Sequence, residues 1–230
     1  MMKFLVFLVF LVFLGSVRNS TPPKPARVGE RVAKACLSRF LACLSRFLAR
    51  FEEHEIELID ALDYLIELVF KPHFSYAKGK APTALDELAK KIAVADGYLM
   101  VSPEYNHSMS PALANLLNHF GSSIFSYKPS GIITYSAGQW GGMRADLGMR
   151  NFLGELGCLS VSAMIHVPKA QDVFHEDGTL QADEDENAWF DYFDRCFYQL
   201  VWWAEATKQQ RQIEDPFTHS KAFNASPYAT

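Results

Sequence analysis

The sequence lacks the features that mark several common classes of protein. Its four cysteines form no CxxC pair, and no histidine stands at zinc-finger spacing from any of them, which favours reduced thiols over a zinc site. A basic excess is also missing: the formal net charge is −4, so binding to a nucleic-acid backbone is not expected. Neither a GxGxxG turn nor a Walker lysine follows the first apolar run.

The composition that is present is that of an ordinary globular protein. Of 230 residues, 49% are apolar and 21% are charged, which suffices for one α/β domain with a sizeable core. Apolar runs rich in Val, Ile and Leu alternate five times with helical patterns, and most of these runs lack polar alternation. Such strands suit a parallel sheet covered on both faces. We therefore predict one doubly wound domain over residues 1–212 and an extended tail over residues 213–230.

Two short stretches of the sequence are repeated. The triplet Leu-Val-Phe occurs three times between Leu5 and Phe13, and the heptad CLSRFLA occurs twice between Cys36 and Ala49. Six added strand residues preserve the side-chain alternation, and seven added helix residues preserve the apolar face. We therefore predict a lengthened first strand at 4–14 and a lengthened first helix at 26–50.

Both duplications are expected to overhang the edge of the sheet that is opposite the ligand-binding loops. The overhanging strand and helix should cover one another only in part. We therefore expect Phe7 or Leu8 to pack against Leu44, Phe47 or Leu48, and the first few residues of the chain to be poorly supported.

Three loops follow the first, third and fourth predicted strands, at the edge where doubly wound sheets bind ligands. The loop GSVRNS at 15–20 offers hydroxyls and one guanidinium to a phosphate. The loop SPEYNHSMSP at 102–111 offers an aromatic plane and amide donors, and SAGQWGGMRA at 136–145 has three glycines that permit close backbone approach. Each loop alone has a plain alternative as an ordinary turn. The three together indicate a site for a phosphate and a flat heterocycle.

Three segments, GSVRNS, PEYNHSMSP with the following LANLLNHF, and YSAGQWGGMRADLGMRNFLGELG, carry a family resemblance. Over roughly residues 4–170, the sequence resembles the NADPH-dependent FMN reductase family of flavodoxin-like proteins. The resemblance implies a five-stranded parallel sheet in the order 2-1-3-4-5 with helices on both faces, FMN bound without a covalent bond, and a homodimer or homotetramer. It also implies an oxidoreductase that passes hydride from NADPH or NADH through FMN to a small acceptor, such as a quinone, azo compound, metal ion or flavin.

The family motifs match this sequence residue by residue. The first loop is implied to hold the phosphate, and the other two loops are implied to hold the two edges of the flavin ring. Because FMN carries the chemistry, we name no catalytic residue, and no metal is implied. His107 departs from the small residue, often glycine, that is common at its position. The residues implied to bind the cofactor are Ser16, Arg18, Ser20, Pro103, Glu104, Tyr105, Asn106, His107, Ser136, Ala137, Gly138, Trp140, Gly141 and Gly142.

Arg144 has two interpretations in the sequence. It could contact the phosphate of a nicotinamide cofactor, or it could be a helix-surface residue that pairs with Asp146 or Glu155. Histidines that lack metal-ligand spacing are set aside; these are His54, His73, His166 and His175.

The apolar amino terminus bears on the compartment of the protein. The run Phe4–Leu14 is much shorter than the roughly 20 residues that span a bilayer, and cleavage near Gly15 as a secretion signal would remove the central strand. Glycosylation sequons at 19–21 and 106–108 fall inside the proposed flavin loops. We therefore expect a cytoplasmic protein without a membrane or nucleic-acid partner. The alternatives are an FMN electron carrier without NAD(P)H turnover and a membrane-associated protein anchored by this terminus.

Overall fold

The computed structural model describes residues 1–8, 44, 51, 53–60, 64, 66–175 and 177–218. The strands are β1 (Lys3–Leu8), β2 (Glu55–Asp60), β3 (Gly97–Pro103), β4 (Pro129–Tyr135), β5 (Leu159–Ser160) and β6 (Ile165–Val167). The helices are α1 (Thr83–Val94), α2 (Pro111–Asn118), α3 (Ser122–Phe125), α4 (Met143–Glu155), α5 (Ala170–Val173) and α6 (Glu186–Ile213). Short 3-10 turns lie at His73–Ser75 and Pro216–Thr218.

The strands form one parallel sheet in the order β2-β1-β3-β4-β5, and β6 also pairs with β4. This order confirms the predicted fold class. The last of the five apolar runs of the sequence, CLSVSAMIHV at 158–167, is predicted as one strand but forms two short strands: β5 pairs with the start of β4, and β6 pairs with its end. Between them, Gln199 Oε1 accepts hydrogen bonds from Ser162 Oγ at 3.0 Å and from Ala163 N at 3.1 Å. A side chain of α6 therefore takes the place of a sheet partner at the interruption.

Strand β1 is paired along both of its edges from its start. Lys3 pairs with Glu55 of β2, Phe4 pairs with Gly97 of β3, and Met2 is 5% exposed. The strand thus begins level with its neighbours. The expectation that the first residues overhang this edge without support is wrong, because the sheet itself satisfies their backbone groups.

Most of the repeated sequence lies outside the described residues. This holds for Val9–Leu14, for the predicted helix at 26–50 apart from Leu44, and for residues 219–230 of the predicted tail. The predicted packing of Phe7 or Leu8 on that helix also lies outside the described side chains. Leu44 itself is buried in the core. Within the ranges that are described, no helix combines the length and the apolar character needed to cross a bilayer.

Alternating side chains of the central strands supply two apolar cores, one on each face of the sheet. One face packs mainly on α6, and the other packs on α1, α2 and α4. Because β3 and β4 are buried along their whole length, both strands carry nearly continuous apolar runs. The strand residues of the first core include Phe4, Val6, Leu99, Val101, Ile133 and Tyr135, and those of the second include Leu5, Tyr98, Met100 and Ile132.

Asp96 joins three parts of the fold at the amino-terminal edge of the sheet. It is buried, and its carboxylate accepts hydrogen bonds from Lys3 N at 3.0 Å, Lys208 Nζ at 2.8 Å and Arg211 Nη2 at 3.3 Å. A buried carboxylate without such partners would be strongly unfavourable. The contacts fix the start of β1 and the end of α6 against the residue that precedes β3.

Replacing Asp96 with Asn should lower the free energy of unfolding by about 2 kcal/mol, because two partly buried cations lose their shared partner. Urea denaturation measures this change. Glu55→Gln is the matched control: it weakens the exposed Lys3–Glu55 pair (2.8 Å) and should cost less than about 0.5 kcal/mol. If Asp96→Asn lowers the free energy of unfolding no more than the control does, this role of Asp96 is contradicted.

Candidate functional site

The carboxyl ends of β3 and β4 lie side by side, and the loops that follow them meet at one edge of the sheet. Pro103 and Tyr135, the last residues of the two strands, pair with each other. We call Glu104–Ser110 the β3 loop and Ser136–Gly142 the β4 loop. Residues Ser16, Arg18 and Ser20 of the predicted phosphate loop lie outside the described residues. The described part of the candidate site therefore consists of these two loops.

The β3 loop contains a tight turn that its own backbone holds in place. Tyr105 and Ser108 exchange two N–H···O hydrogen bonds of 2.9 Å. Between them, Asn106 and His107 have φ angles of 49° and 62°. Two successive central residues with positive φ are the signature of a type I′ turn. The turn exposes Asn106 and His107, and their amides donate no hydrogen bond to any described residue.

Glu104 connects the two loops. Its amide donates to Tyr135 O at 3.1 Å, and its carboxylate Oε2 accepts from Arg144 N at 3.2 Å and from Ala145 N at 3.4 Å. The first amides of a helix have no partner inside the helix, and the helix dipole favours an anion there. Glu104 therefore braces the β3 loop against the start of α4. Its predicted contact with the cofactor stays a prediction.

In the β4 loop, most carbonyl groups are occupied and the amides of residues 137–140 are available. The carbonyls of residues 136–138 accept hydrogen bonds of 3.1, 3.3 and 3.0 Å from residues 169–171, which lie at the start of α5. In contrast, the amides of residues 137–140 donate to no other part of the chain that the structure describes. These residues are exposed. The loop therefore presents a row of hydrogen-bond donors to a ligand.

At two of the predicted loop glycines, the backbone lies close to other residues of the protein rather than to the space for a ligand. Gly141 and Gly142 have φ angles of 59° and 85°. A Cβ atom added to Gly142 would lie 2.6 Å from the Cβ of Thr134, and one added to Gly141 would lie 2.9 Å from Pro168 N. Gly138 differs, because its nearest such neighbour is Ser136 Oγ at 3.8 Å. The double glycine thus lets the β4 loop pack directly against β4 and the end of β6.

Trp140 and Arg144 form one exposed unit at the end of the β4 loop. The Arg144 Cζ atom lies 5.7 Å from the centroid of the Trp140 ring, at a distance typical of a cation–π contact. Arg144 is exposed on the first turn of α4, as the helix-surface alternative predicted, but it forms no ion pair with Asp146 or Glu155 among the described residues. A contact of Arg144 with a nicotinamide phosphate stays a prediction.

Beneath the β4 loop lie three polar side chains that sequence reasoning did not place in the site. Thr134 Oγ1 is 2.9 Å from Gly141 O and 2.8 Å from His166 Nδ1, and His166 Nε2 is 4.0 Å from Asp146 Oδ2. Burial raises the pKa of the Asp146 carboxyl and lowers the pKa of His166, and each charge partly offsets the shift of the other. The three residues come from β4, α4 and β6, so no local spacing reveals them.

The chemistry of the two loops fits a flat heterocycle that carries hydrogen-bond acceptors. Amide donors are available at 106–107 and 137–140, and Tyr105 and Trp140 add aromatic surface. Among the residues that the structure describes, no group of three or more His, Cys, Asp or Glu side chains could hold a metal ion. The amide donors and the aromatic surfaces of the two loops suit an organic cofactor.

A parallel 2-1-3-4-5 sheet with such loops at its carboxyl edge defines the flavodoxin-like class of α/β proteins. The sequence model of one family in this class, described as NADPH-dependent FMN reductase, matches residues 10–172. The match covers more than half of the chain. The chain therefore belongs to the NADPH-dependent FMN reductase family.

Two curated relatives match shorter parts of the sequence. An NAD(P)H-dependent FMN reductase of Pseudomonas aeruginosa is 33% identical over 113 residues, which is 47% of this chain and 60% of the relative. An NADPH azoreductase of a Bacillus species is 37% identical over 62 residues, which is 27% of this chain and 35% of the relative. The chain thus spans less than two thirds of the length of these relatives.

Solved structures share the fold at low sequence identity. The flavoenzyme NAD(P)H:(acceptor) oxidoreductase FerB of Paracoccus denitrificans gives a TM-score of 0.62 at 19% identity, covering 90% of this chain and 99% of FerB. An oxidoreductase of Corynebacterium diphtheriae gives a TM-score of 0.58 at 14% identity, covering 90% of this chain and 98% of that one. Both likenesses concern the fold alone.

Replacing His107 with Gly should raise the free energy of unfolding by about 1 kcal/mol, because a side chain at positive φ is strained and glycine is not. Chemical denaturation of the apoprotein measures this. Asn106→Gly is the matched control, since asparagine tolerates the left-handed region better and should gain less. A stability loss in His107→Gly, or equal gains in both variants, would argue against the type I′ turn.

Proposed function

We propose that this protein is an FMN-dependent oxidoreductase that takes hydride from NADPH or NADH and passes the electrons to a small acceptor. The observation that supports the proposal most is the pair of loops that follow β3 and β4. Glu104 joins the two loops, and both carry amides that donate to no other part of the described chain. Membership of the NADPH-dependent FMN reductase family gives those donors a ligand of matching chemistry.

Bound FMN supplies the hydride-accepting chemistry, and the residues of this chain position it. Amides of the β4 loop, including Ala137, Gly138 and Trp140, would donate toward the ring of bound FMN and would favour negative charge there. The segment Pro103–His107 would hold the opposite edge, with Tyr105 as an aromatic surface. Gly141 and Gly142 seat the loop, and Ser136 O anchors it to α5. No side chain is needed as a nucleophile.

The loop at 15–20 is proposed to hold the FMN phosphate through Ser16, Arg18 and Ser20. In the sequence, six residues separate the end of β1 at Leu8 from Gly15. Residues 4–8 and 10–14 both read FLVFL, so either copy offers the sheet the same five side chains.

The acceptor and the assembly are also proposals. The curated relatives are named as an FMN reductase and an azoreductase, which supports a flavin or an azo compound as the acceptor. A quinone or a metal ion is supported by the family resemblance alone. The family resemblance supports a homodimer or homotetramer.

The experiment that tests the proposed function combines flavin reconstitution with steady-state turnover. Purified protein is saturated with FMN, and consumption of NADPH and of NADH is followed with a quinone or an azo dye as acceptor. Turnover above that of free FMN supports the enzyme. Tight FMN binding without NAD(P)H consumption would favour the electron carrier instead, and absence of FMN binding would contradict both.

Arg18→Ala should weaken FMN binding by about tenfold or more, because a charge-assisted contact from a guanidinium to a phosphate is among the stronger polar contacts. Quenching of FMN fluorescence measures the affinity. Arg195→Ala, which removes an exposed arginine of α6, is the matched control and should bind FMN like the unaltered protein. Unchanged affinity in Arg18→Ala would exclude Arg18 from the phosphate site.

Deletion of residues 9–14 joins Leu8 directly to Gly15 and should leave FMN binding as tight as in the full chain, or tighter. Deletion of residues 8–14 is the control: it removes an odd number of residues and joins Phe7 to Gly15, so that Gly15 takes the strand position of Leu8 and each later residue faces the opposite side of the sheet. That control should bind FMN more weakly than the six-residue deletion. Loss of FMN in the six-residue deletion, or equal affinities of the two variants, would contradict the proposed role of 15–20.

A further inference from the structure

Each hydrogen bond beneath the β4 loop has only one possible donor. The Gly141 carbonyl can only accept, so the single hydroxyl hydrogen of Thr134 is donated to it over 2.9 Å. The Thr134 oxygen then accepts from His166 Nδ1 over 2.8 Å, which requires a hydrogen on Nδ1. His166 Nε2 therefore faces Asp146 as a lone pair when the ring is neutral and as a donor when it is protonated.

Asp146 lacks the hydrogen-bond partners that a buried carboxylate needs. Its side chain is 4% exposed, and within the described residues its Oδ1 accepts no hydrogen bond. Arg150, one turn further along α4, donates to Val161 O at 3.1 Å instead. A buried carboxylate in this condition destabilises the fold while it is ionised, and such exceptions concentrate at functional sites.

The other ionisable groups around the pair are engaged elsewhere. Tyr192 of α6 accepts a hydrogen bond from His166 N at 2.9 Å, and Glu104 of the β3 loop accepts from the amides that start α4. Arg150 is the nearby fixed charge. At 4.0 Å the two side chains face each other without a hydrogen bond. A hydrogen on His166 Nε2 or on the Asp146 carboxyl would give the pair a donor, and an approach of about 1 Å would then form the hydrogen bond.

We propose that Asp146 and His166 are a proton-binding pair that positions the β4 loop through Thr134, so that FMN binds more tightly when the pair takes up one proton. The closed chain then runs from Asp146 through His166 and Thr134 to the Gly141 carbonyl, and it fixes the loop whose amides face the cofactor. All three are positioning residues. The inference rests on the proposed FMN function.

The first test uses the apoprotein and is independent of FMN. Nitrogen-15 chemical shifts of the His166 ring, followed from about pH 5 to about pH 9, report which nitrogen carries hydrogen. We expect hydrogen on Nδ1 throughout, and a lower His166 pKa in Asp146→Asn because the carboxylate charge that favours the imidazolium is gone. A neutral ring with its hydrogen on Nε2, or a His166 titration that Asp146→Asn does not move, would overturn the proposal.

Thermal denaturation of the same apoprotein tests whether the ionised Asp146 destabilises the fold. Burial raises the pKa of Asp146 in the folded protein. Above this raised pKa, the ionised carboxylate destabilises the fold. Below the ordinary pKa of an aspartate, the group is protonated in both the folded and the unfolded protein, and it has no effect on stability. Asp146→Asn should therefore raise the melting temperature at about pH 8 and leave it nearly unchanged at about pH 4. An Asp146→Asn variant that melts lower at the higher pH would count against a partnerless carboxylate.

The second test measures FMN affinity against pH in variants that separate hydrogen bonding from proton binding. In His166→Asn, the amide nitrogen can take the place of Nδ1 and donate to Thr134, but it cannot titrate. This variant should keep FMN affinity at about pH 8 within about threefold and lose the gain on acidification. His166→Val removes both functions and should weaken FMN binding about fivefold or more at every pH. His175→Asn, at an exposed histidine, is the matched control and should keep the original profile.

The FMN phosphate itself titrates near pH 6, so the readout is the ratio of dissociation constants of His166→Asn and the unaltered protein at each pH. Because burial lowers the pKa of His166 below its ordinary value, the ratio should rise several-fold between about pH 8 and about pH 5, with most of the rise below about pH 6.5. A flat ratio would overturn the proposed coupling. If no variant binds FMN, the proposed function fails, while the ring tautomer and its response to Asp146→Asn still decide the proton-binding pair.

Discussion

The contact on which the candidate site depends is that of the Glu104 carboxylate with the first amides of α4. Parallel pairing of β3 and β4 brings two loop starts together, but it does not fix the loops themselves. Glu104 fixes them, because its carboxylate, directly after β3, accepts hydrogen bonds from Arg144 N and Ala145 N at the start of α4. The helix dipole adds to this attraction. The position of one loop is thereby tied to the position of the other.

Backbone groups, rather than side chains, form most of the described site. Residues 169–171 occupy the carbonyls at 136–138, and the type I′ turn around Asn106 occupies its own outer backbone groups. The amides that remain are rigid donors, and rigid donors lose little entropy when a ligand binds. This arrangement agrees with a cofactor that carries its own reactivity, since the protein then has only to orient it and to favour negative charge.

Much of the architecture could be predicted from the sequence, because strand burial and loop chemistry are local signals. The order 2-1-3-4-5 and the glycines of the β4 loop follow from such signals together with the family resemblance. The interrupted fifth strand could not be predicted, because its cause is Gln199, a residue far away on α6. The overhang predicted for the first strand was wrong because the repeats allow more than one alignment with β2 and β3, and the sheet pairs Lys3–Leu8. Asp146 and His166 were missed because only the fold brings them together.

The central claim is that the two loops hold a flavin that accepts hydride from a nicotinamide cofactor. Anaerobic rapid mixing of the FMN-reconstituted protein with NADPH tests it most directly, with the flavin absorbance as the signal. We predict that the absorbance of the bound flavin is bleached in a single turnover, much faster than that of free FMN under the same conditions. Protein that retains FMN but whose flavin is bleached no faster than free FMN would contradict the claim, as would protein that retains no FMN.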